Sequence, residues 1–328
     1  MMNNFAYTKA GSMAEAIKAL NTKGACLHAG GTDLLGCIRD GILAPSRVVS
    51  IAGLKELKGI SARPDGGLRI GALTTIAEVA SSAPIRDKYA VLTQAAADVA
   101  SPQLRNQGTI GGNICQRPRC WYYRGDFPCA RKGGDLCYAV EGENQYHAIF
   151  GGGPCFFVHP SDTAVALVAL QAQLAIAGPA ATGPAAGKIV KIEEFFVGPD
   201  KNILKENILA TNEIVTEIRL PPPAAGVRSS YRKVRARQAW DFALASVALV
   251  LQFENQTVSR ARIVLGGTGP FPWRAVAAEK ALIGKRIDAT VAAAAGTAAI
   301  EDASPMRDNG HKLQMVQGAV EESLLALA

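Results

Sequence analysis

A segment without helical or strand periodicity, from residue 103 to about residue 160, most restricts how this chain can fold. Glycine, proline, arginine, cysteine and aromatic residues dominate it. Five of the seven cysteines fall within 41 residues of its length, namely Cys115, Cys120, Cys129, Cys137 and Cys155. A structureless segment of this length inside a compact domain is usually functional or disordered, and this density of cysteines and aromatics argues against disorder. We therefore expect an ordered loop in which the thiols have a specific task.

The residues before this segment are predicted to form a small alternating α/β unit and then a hairpin. Ser12 and Glu15 match a capping box, and apolar residues follow them at helical spacing. The hairpin turn is rich in residues that accept positive φ. The predicted elements are strands at 25–29 and 47–51, a hairpin at 59–73, and helices at 75–82 and 84–100.

Regular structure is predicted to resume after the aperiodic segment. Ser161 and Asp162 are typical of a helix start, and the prolines at 221–223 indicate a stiff linker between two domains. The tract at 178–187, rich in alanine, glycine and proline, is predicted to be a surface loop. The remaining predicted elements are strands at 172–177, 188–196, 213–220, 229–236, 245–253 and 258–265, and helices at 274–282 and 315–327.

Composition excludes several classes of protein. With 48% hydrophobic and 19% charged residues, the chain is expected to be a soluble globular protein. No apolar stretch approaches the ~18–20 residues of a membrane span. The first residues lack the basic start and apolar run of a secretion signal, so the chain is expected to be cytoplasmic by its own sequence. Its net charge of +7 comes from scattered side chains, which form no stripe for nucleic acid.

Two glycine-bearing turns, at residues 29–35 and 108–113, dominate the first part of the chain. Paired glycines let backbone N–H groups approach a phosphate without a Cβ in the way, and threonine and asparagine add lateral hydrogen bonds. Neither turn fits a Walker motif or the Gly-x-Gly-x-x-Gly dinucleotide fingerprint. Each turn alone is equally a tight turn of an α/β unit, whereas the pair favours a phosphate-containing ligand.

The two turns belong to a longer series of motifs. The series comprises AGGTDLL at 29–35, IGALTT at 70–75, TIGGN at 109–113, HPSD at 159–162, NEIVTEIRLP at 212–221, YRKVRAR at 231–237 and LGGTGPFPWRA at 265–275. With these motifs in this order, the chain resembles over nearly its whole length the flavin-binding medium subunit of molybdenum hydroxylases. That family includes xanthine dehydrogenase, carbon monoxide dehydrogenase and aldehyde oxidoreductase.

The resemblance implies an α+β fold. A vanillyl-alcohol-oxidase/PCMH-type FAD-binding domain in two subdomains, at 1–58 and 59–222, would precede a CO-dehydrogenase-flavoprotein-like C-terminal α+β domain at 223–328. The ligand of the glycine turns would then be FAD. Asp162 would accept hydrogen bonds from the ribose of the adenosine, Val215 would approach the flavin through its backbone, and Lys233 would lie near the ring. The implied FAD-binding residues are Leu27, His28, Ala29, Gly30, Gly31, Thr32, Asp33, Leu34, Thr109, Ile110, Gly111, Gly112, Asn113, Asp162, Val215 and Lys233.

From the residues alone, two of these assignments have plain structural alternatives. Asp162 is equally well interpreted as a helix N-cap, and the two roles are compatible. Lys233 without the resemblance would be an exposed charge on a strand.

The cysteine-rich stretch, at about 114–160, is an insertion relative to the xanthine dehydrogenase pattern. Its last four cysteines are separated by eight, seven and seventeen residues, an irregular spacing that favours a [4Fe–4S] cluster over structural zinc. Zinc and free buried thiols remain alternatives. A second resemblance, to 4-hydroxybenzoyl-CoA reductase and the bacterial periplasmic aldehyde oxidoreductases, implies a [4Fe–4S] cluster with Cys120, Cys129, Cys137 and Cys155 as ligands. Cys115 is then the spare, although the residues alone allow it to replace one of the four.

Charged and aromatic residues flank these cysteines. The basic residues could offset the cluster's charge, face a partner subunit or be ordinary solvated side chains; they are Arg117, Arg119, Arg124, Arg131 and Lys132. The aromatic residues at 121–123 are expected to shield the cluster from water. His147 and His159 are expected to be hydrogen-bonded structural residues.

The resemblance implies an electron-transfer role. The chain would be the FAD and [4Fe–4S] subunit of a heterotrimeric molybdenum-containing aldehyde (or N-heterocycle) oxidoreductase. Electrons would pass from two [2Fe–2S] centres of a small subunit to an external acceptor such as ferredoxin, after substrate oxidation on a large molybdenum-cofactor subunit. No catalytic acid–base pair or nucleophile is therefore expected here.

Two functional alternatives remain open. One is a stand-alone FAD-dependent oxidoreductase, and the other is a 4-hydroxybenzoyl-CoA-reductase-like subunit with electrons flowing toward molybdenum. Export in folded form with a signal-bearing partner would place the complex in the periplasm.

Overall fold

The computed structural model describes residues 4–179 and 187–328, and its first unit is a small parallel sheet with two helices. The elements of this unit are β1 (Ala6–Lys9), α1 (Met13–Leu20), β2 (Ala25–His28), α2 (Leu34–Arg39) and β3 (Arg47–Ser50). The strands lie in the order β1-β3-β2, so each connection crosses over through a helix. Ser12 caps α1 by accepting from Glu15 N, as predicted, but the Glu15 carboxylate bonds Gly11 N and leaves the capping box half formed.

A hairpin and three helices follow. They are β4 (Ile60–Ala62), β5 (Leu68–Gly71), α3 (Ile76–Ser81), α4 (Ala83–Lys88) and α5 (Ala90–Ala97). The predicted hairpin is confirmed, and Thr75 with Glu78 forms a complete capping box at the start of α3. The single helix predicted at 84–100 is wrong. The chain leaves helical geometry at Tyr89, which has φ −143° and donates its hydroxyl to Pro221 O at 2.6 Å.

The aperiodic segment contains short helices that its sequence did not reveal. They are α6 (Pro102–Gln107), α7 (Ile110–Ile114) and α8 (Trp121–Arg124). Serine and threonine caps begin the first two, with Ser101 accepting from Leu104 N and Thr109 accepting from Gly112 N. After α8 the segment is largely irregular as far as Ser161, as predicted.

A five-stranded antiparallel sheet completes this part of the fold. Its later elements are α9 (Asp162–Ala169), β6 (Gln173–Ala177), β7 (Lys188–Lys191) and β8 (Ile214–Leu220), and the strand order is β4-β5-β8-β6-β7. Ser161 caps α9, as predicted. The strand predicted at 188–196 ends at Lys191, where a 3-10 turn begins. Residues 180–186, most of the predicted surface tract, lie outside the described residues.

The C-terminal part packs helices against a four-stranded antiparallel sheet. Its elements are β9 (Val227–Val234), β10 (Ala245–Glu254), β11 (Thr257–Gly266), β12 (Trp273–Arg274), α10 (Val276–Leu282), α11 (Ala289–Ala298) and α12 (His311–Leu325), with strand order β12-β11-β10-β9. The three predicted strands are confirmed, and Asn255 and Gln256 turn between β10 and β11 with positive φ. The sequence did not predict α11, because its alanine run has no apolar periodicity.

The main core extends across the predicted domain boundary. Ile218 of β8 and Leu167 of α9 share one buried cluster with Tyr231, Ala248 and Val264 of the C-terminal sheet. A second cluster lies between the C-terminal sheet and α10–α12, and a third under the first parallel sheet. The architecture is α+β, as predicted, and the boundary at 222 stays a prediction.

Candidate functional site

The two glycine turns lie against each other. A Cβ placed on Gly30 would come within 2.0 Å of the Gln107 carbonyl oxygen, so the first turn passes directly over the residue before the second. Gly31 has φ +74°, a conformation that L side chains rarely adopt. A Cβ on Gly108 would lie 3.5 Å from Thr32 Oγ1. The structure thus brings the predicted residues at 29–33 and 109–113 together and keeps glycine where their backbones meet.

The second turn is also the start of α7, which fixes its backbone. Thr109 Oγ1 accepts a hydrogen bond from Gly112 N at 3.2 Å. Gly111 packs so closely on Ala72 that a Cβ added to it would lie 2.8 Å from the alanine methyl. The carbonyl of the residue after Val215 accepts from Ala72 N at 2.9 Å. The buried Val215 therefore lies close to the second turn, and its backbone contact with the flavin stays a prediction.

Asn113 fastens the second turn to the start of α9. Its Oδ1 accepts from the Ser161 hydroxyl at 2.5 Å and from the Thr163 hydroxyl at 2.7 Å. His159 lies in the same buried place, with Nδ1 3.4 Å from Ser161 N and its ring edge on against Phe196. Burial lowers the pKa of His159 to about 4, which keeps the ring neutral near pH 7. These contacts agree with the structural role expected for this histidine.

Asp162 and Lys233, both predicted to contact FAD, contact each other. Lys233 Nζ donates to Asp162 Oδ2 at 2.7 Å and to Asp98 O at 3.1 Å. The Tyr231 hydroxyl donates to Asp162 Oδ1 at 2.6 Å. Burial raises the pKa of the Asp162 carboxyl, and the charge and hydrogen bonds of Lys233 and Tyr231 oppose that shift. Lys233 is therefore buried and paired, unlike the exposed strand charge of the alternative interpretation.

Asp33, in the first glycine turn, joins that turn to the cysteine segment. Its carboxylate accepts from Arg117 N at 2.7 Å and from the Arg124 guanidinium at 2.8 Å, and it pairs with Arg119 at 2.9 Å. Three contacts from one stretch of eight residues give the segment a fixed position relative to the turn. Asp33 thus binds the side chains of two of the basic residues that flank the cysteines, Arg119 and Arg124.

Arg131 is held by a buried carboxylate further along the chain. Its guanidinium pairs with Glu206 at 2.5 Å and donates to the Ile203 carbonyl. It also lies 4.3 Å from the ring centre of Phe157, a cation–π contact. Arg117 reaches the same Glu206 oxygen at 3.4 Å. Lys132, in contrast, is exposed.

The four cysteines proposed as cluster ligands lie in one neighbourhood. Cys137 and Cys155 are close enough for each thiol to affect the other, which lowers the pKa of Cys137 and raises that of Cys155. The pKa of Cys120 is raised to about 11, mainly by burial and less by Cys137 and Cys129, although backbone hydrogen bonds from residues 122 and 123 oppose the shift. Cys120 Sγ also lies 3.2 Å from His147 Nε2. A backbone bridge between Cys129 and Leu136, the residue before Cys137, brings Cys129 into the same neighbourhood.

The other three cysteines are placed differently. Cys115 packs against the main core, where burial, followed by the charge of Glu206, raises its pKa to about 12. Cys37 is buried in α2, with its thiol 3.8 Å from the Asp33 carboxylate. Cys26 lies in β2. Cys115 therefore lies against the core, and its assignment as the spare thiol stays a prediction.

The cysteines are not arranged around a single point. Among residues 4–179 and 187–328, no group of three or more His, Cys, Asp or Glu side chains is placed to hold a metal ion. A structural zinc ion needs four donors at bonding distance from one centre. A cubane instead places one thiolate on each of four irons, so its ligands are spread more widely.

Aromatic rings pack on one another in the cysteine segment. Trp121 packs edge on against Tyr146 at 5.4 Å, and Tyr122 packs against Phe127 at 5.0 Å and stacks with Tyr138 at 6.1 Å. Tyr146 and Phe127 are 48% and 39% exposed, so this group reaches the surface. The shielding role expected of residues 121–123 stays a prediction.

Sequence reasoning missed two buried charged residues near the cysteines, Glu206 and Lys312. The sequence could have revealed Lys312, because helical spacing places it on the same buried face of α12 as Val316 and Val320, four and eight residues later. No sequence pattern indicates that Glu206 is buried, because it lies in an irregular stretch between β7 and β8.

Comparison with known proteins defines the class of this chain. The family model described as the FAD binding domain in molybdopterin dehydrogenase matches residues 3–223, and that of the CO dehydrogenase flavoprotein C-terminal domain matches residues 229–315. The chain is 37% identical to the aldehyde oxidoreductase FAD-binding subunit PaoB of Escherichia coli (strain K12), over 86% of each chain. It is 30% identical to the carbon monoxide dehydrogenase medium chain of Hydrogenophaga pseudoflava, over 93% of this chain and 88% of the relative.

A solved structure agrees with these relatives. Carbon monoxide dehydrogenase from Hydrogenophaga pseudoflava superposes with a TM-score of 0.78 at 28% identity, covering 100% of this chain and 98% of the other. The chain therefore belongs to the family of FAD-binding medium subunits of molybdenum hydroxylases. It is an oxidoreductase flavoprotein subunit, as predicted. No helix in the described part of the chain is long and apolar enough to cross a membrane.

Proposed function

We propose that this chain is the FAD and [4Fe–4S] electron-transfer subunit of a heterotrimeric molybdenum-containing aldehyde or N-heterocycle oxidoreductase. It would receive electrons from the [2Fe–2S] centres of a small subunit and deliver them to an external acceptor such as a ferredoxin. The similarity to an aldehyde oxidoreductase subunit supports the aldehyde class. The observation that carries the proposal is the neighbourhood of four cysteines, which Asp33 and its arginines tie to the first glycine turn.

The two glycine turns fit an FAD pyrophosphate. Residues 27–34 and 109–113 would hold it, because glycine lets the two turns approach each other so closely that one ligand can contact both. Lys233 has three N–H donors and uses two in its bonds to Asp162 and Asp98, which leaves one for a ligand. Each Asp162 oxygen likewise keeps a second lone pair for a ribose hydroxyl. Bound FAD would supply the ability to accept electrons singly and to release one or two.

The cysteine neighbourhood fits a cubane better than a single ion. Four thiols on an irregular loop supply one ligand per iron, and aromatic rings pack together in the same segment. The guanidinium of Arg131 stacks on Phe157, two residues beyond Cys155, and its charge acts to lower the pKa of that thiol. Because Glu206 already pairs with Arg131 at 2.5 Å, the pair as a whole would offset little of the negative charge of a thiolate-ligated cluster.

The first test is an anaerobic visible spectrum, with FAD, iron, sulfide and zinc counted on the same sample. The proposal predicts one FAD with about four iron and four sulfide per chain, and broad bleaching near 400 nm on reduction. FAD without iron, in protein never exposed to air, contradicts the cluster. Zinc in the place of iron contradicts the electron-transfer role of the insert.

Serine variants identify the ligands. Cys120→Ser, Cys129→Ser, Cys137→Ser and Cys155→Ser are each expected to lose iron and sulfide while retaining FAD. Cys115→Ser is the matched control, because it removes a buried thiol of the same segment that lies against the core. A loss of iron in Cys115→Ser with retention in one of the four would reassign that ligand.

Copurification tests the subunit role. Two partners, one with the molybdenum cofactor and one with [2Fe–2S] centres, are expected to remain bound to a tagged chain. A lone flavin-containing chain that turns over a substrate by itself would favour the stand-alone oxidoreductase.

A further inference from the structure

Lys312 lies on the buried face of α12, in line with Val316 and Val320. Its side chain is fully buried. Nζ donates to Gly267 O at 2.7 Å and to Tyr146 O at 3.0 Å. The ammonium therefore links the end of β11 to the cysteine segment.

The ammonium faces carbonyl oxygens and no carboxylate. Within the described residues no salt bridge includes Lys312, and the acid one turn earlier, Asp308, pairs with Arg307 near the surface. Burial lowers the pKa of Lys312 to about 7, and no charged neighbour opposes that shift. A buried charge is strongly disfavoured unless an opposite charge lies close to it. The side chains around Lys312 do not supply that charge.

The unmatched ammonium is connected to a proposed cluster ligand through residues 146 and 147. Tyr146, whose carbonyl it binds, directly precedes His147, and His147 Nε2 lies 3.2 Å from Cys120 Sγ. Asn309 donates to the carbonyl oxygens of His147 and of the following residue, both at 3.2 Å. The start of α12 therefore holds this stretch against Cys120.

We propose that Lys312 is a positioning residue of the iron–sulfur site, the buried counter-cation of a [4Fe–4S] cluster held by the four cysteines. The inference rests on the proposed function, since it assumes that cluster. A cubane with four thiolate ligands is negatively charged and becomes more so when it takes up an electron. A fixed cation in a low-dielectric interior stabilises the reduced form more than the oxidised form. Lys312 thereby raises the reduction potential of the cluster, and the cluster supplies the charge that Lys312 lacks.

Redox titration of the anaerobically purified complex, followed by electron paramagnetic resonance, tests this role. Lys312→Met removes the charge and the donors, Lys312→Gln keeps a donor without charge, and Lys312→Arg keeps the charge. The midpoint potential of the cluster is expected to fall in the Met and Gln variants and to stay near the wild-type value in the Arg variant. Arg307→Gln is the matched control, because it removes an exposed cation near the same helix start. Solvent screens that charge, so no shift is expected.

Thermal unfolding before and after chelation of the iron gives a second readout. Without the cluster the ammonium is unmatched, so Lys312→Met is expected to unfold at the wild-type temperature or above it. With the cluster present, the same variant is expected to unfold below the wild-type temperature. If Lys312 only joined the two carbonyls, Lys312→Met would unfold below the wild-type temperature both with and without the cluster. Lys312→Gln would then restore the unfolding temperature.

The outcomes separate this inference from the function on which it rests. Unchanged midpoints in Lys312→Met and Lys312→Gln, with normal iron content, overturn the role of Lys312 and leave the cluster standing. Loss of iron in both neutral variants with retention in Lys312→Arg supports the role, because the charge is then needed for assembly. Wild-type protein without iron and sulfide overturns both the cluster and the counter-cation.

Discussion

Lys233 Nζ lies 2.7 Å from Asp162 Oδ2, and the two side chains are only 1% and 6% exposed. The pair joins β9 of the C-terminal sheet to the first turn of α9. The pair lies where the main core continues across the predicted domain boundary. Breaking a buried ion pair by removing one partner is costly, because it leaves the other charge without a counter-ion.

Asp162→Asn is therefore expected to lower the free energy of unfolding by about 3 kcal/mol, because it leaves the Lys233 ammonium buried and unpaired. Urea denaturation of the variant and the wild type measures the change. The double variant Asp162→Asn with Lys233→Met removes the orphaned charge and is expected to recover part of the loss. Asp87→Asn is the control, since Asp87 and Arg86 are both more than 60% exposed. Equal stability of Asp162→Asn and the control would contradict this account of the pair.

The contact between the glycine turns predicts opposite effects of alanine at Gly30 and at Gly36. Gly30→Ala is expected to abolish FAD binding, because its Cβ would lie 2.0 Å from the Gln107 carbonyl oxygen and push the turns apart. Gly36→Ala, in α2, meets nothing within 4 Å and is expected to gain up to ~1 kcal/mol from helix propensity. Flavin content and thermal unfolding of the two variants measure these effects. Full FAD occupancy in Gly30→Ala would show that the turns can separate without loss of the ligand.

Local patterns predicted much of this fold, because they carry information within a few residues. The strands β8 to β11 alternate in hydrophobicity, and Ser12 and Ser161 are recognisable helix caps. At Tyr89 the helix is interrupted, and the tyrosine hydroxyl donates to the distant Pro221 carbonyl. A local pattern could not reveal that partner.

The candidate site likewise has features that the sequence predicted and features that it could not predict. Glycine turns and cysteine spacing are visible in the sequence, and the resemblance located the residues around them. The partners of the flanking arginines were not visible, because Asp33 lies 84 residues before Arg117 and Glu206 lies 75 residues after Arg131. By binding Asp33 and Glu206, the arginines hold the cysteine segment in place. These carboxylates come close to the arginines only when the chain folds.

Asp33→Asn tests the attachment of the cysteine segment to the first turn. The variant weakens three contacts, to Arg117, Arg119 and Arg124, and is expected to cost about 2 kcal/mol of local stability. Limited proteolysis with trypsin at low protease concentration is expected to cut within 117–124 faster than in the wild type. Asp40→Asn is the matched control, because the salt bridge of Asp40 among the described residues is to the exposed Arg39. Equal cleavage of both variants would mean that the segment is held elsewhere.

Glu217 on β8 gives the fold a predictable sensitivity to acid. Its carboxylate accepts from Arg69 Nε and Arg219 Nε, each at 2.6 Å. Burial raises the pKa of Glu217, but the hydrogen bonds and charges of the two arginines outweigh burial and place it below the ordinary 4.5. A carboxyl with a lowered folded-state pKa stabilises the fold above about pH 4.5 and loses that contribution as the pH falls through the folded value.

Glu217→Gln is accordingly expected to have a free energy of unfolding about 1 kcal/mol lower than the wild type near neutral pH. The effect is modest because Glu217 and its two arginines are only partly shielded from water. As the pH falls below about 4, the wild type loses the same contribution and the two proteins should converge. Urea denaturation at several pH values measures the difference. Glu254→Gln is the control, because Glu254 is exposed at the end of β10 and its variant should follow the wild type at every pH. A difference between Glu217→Gln and the wild type that persists undiminished in acid would show that lost packing, and not the charge, causes it.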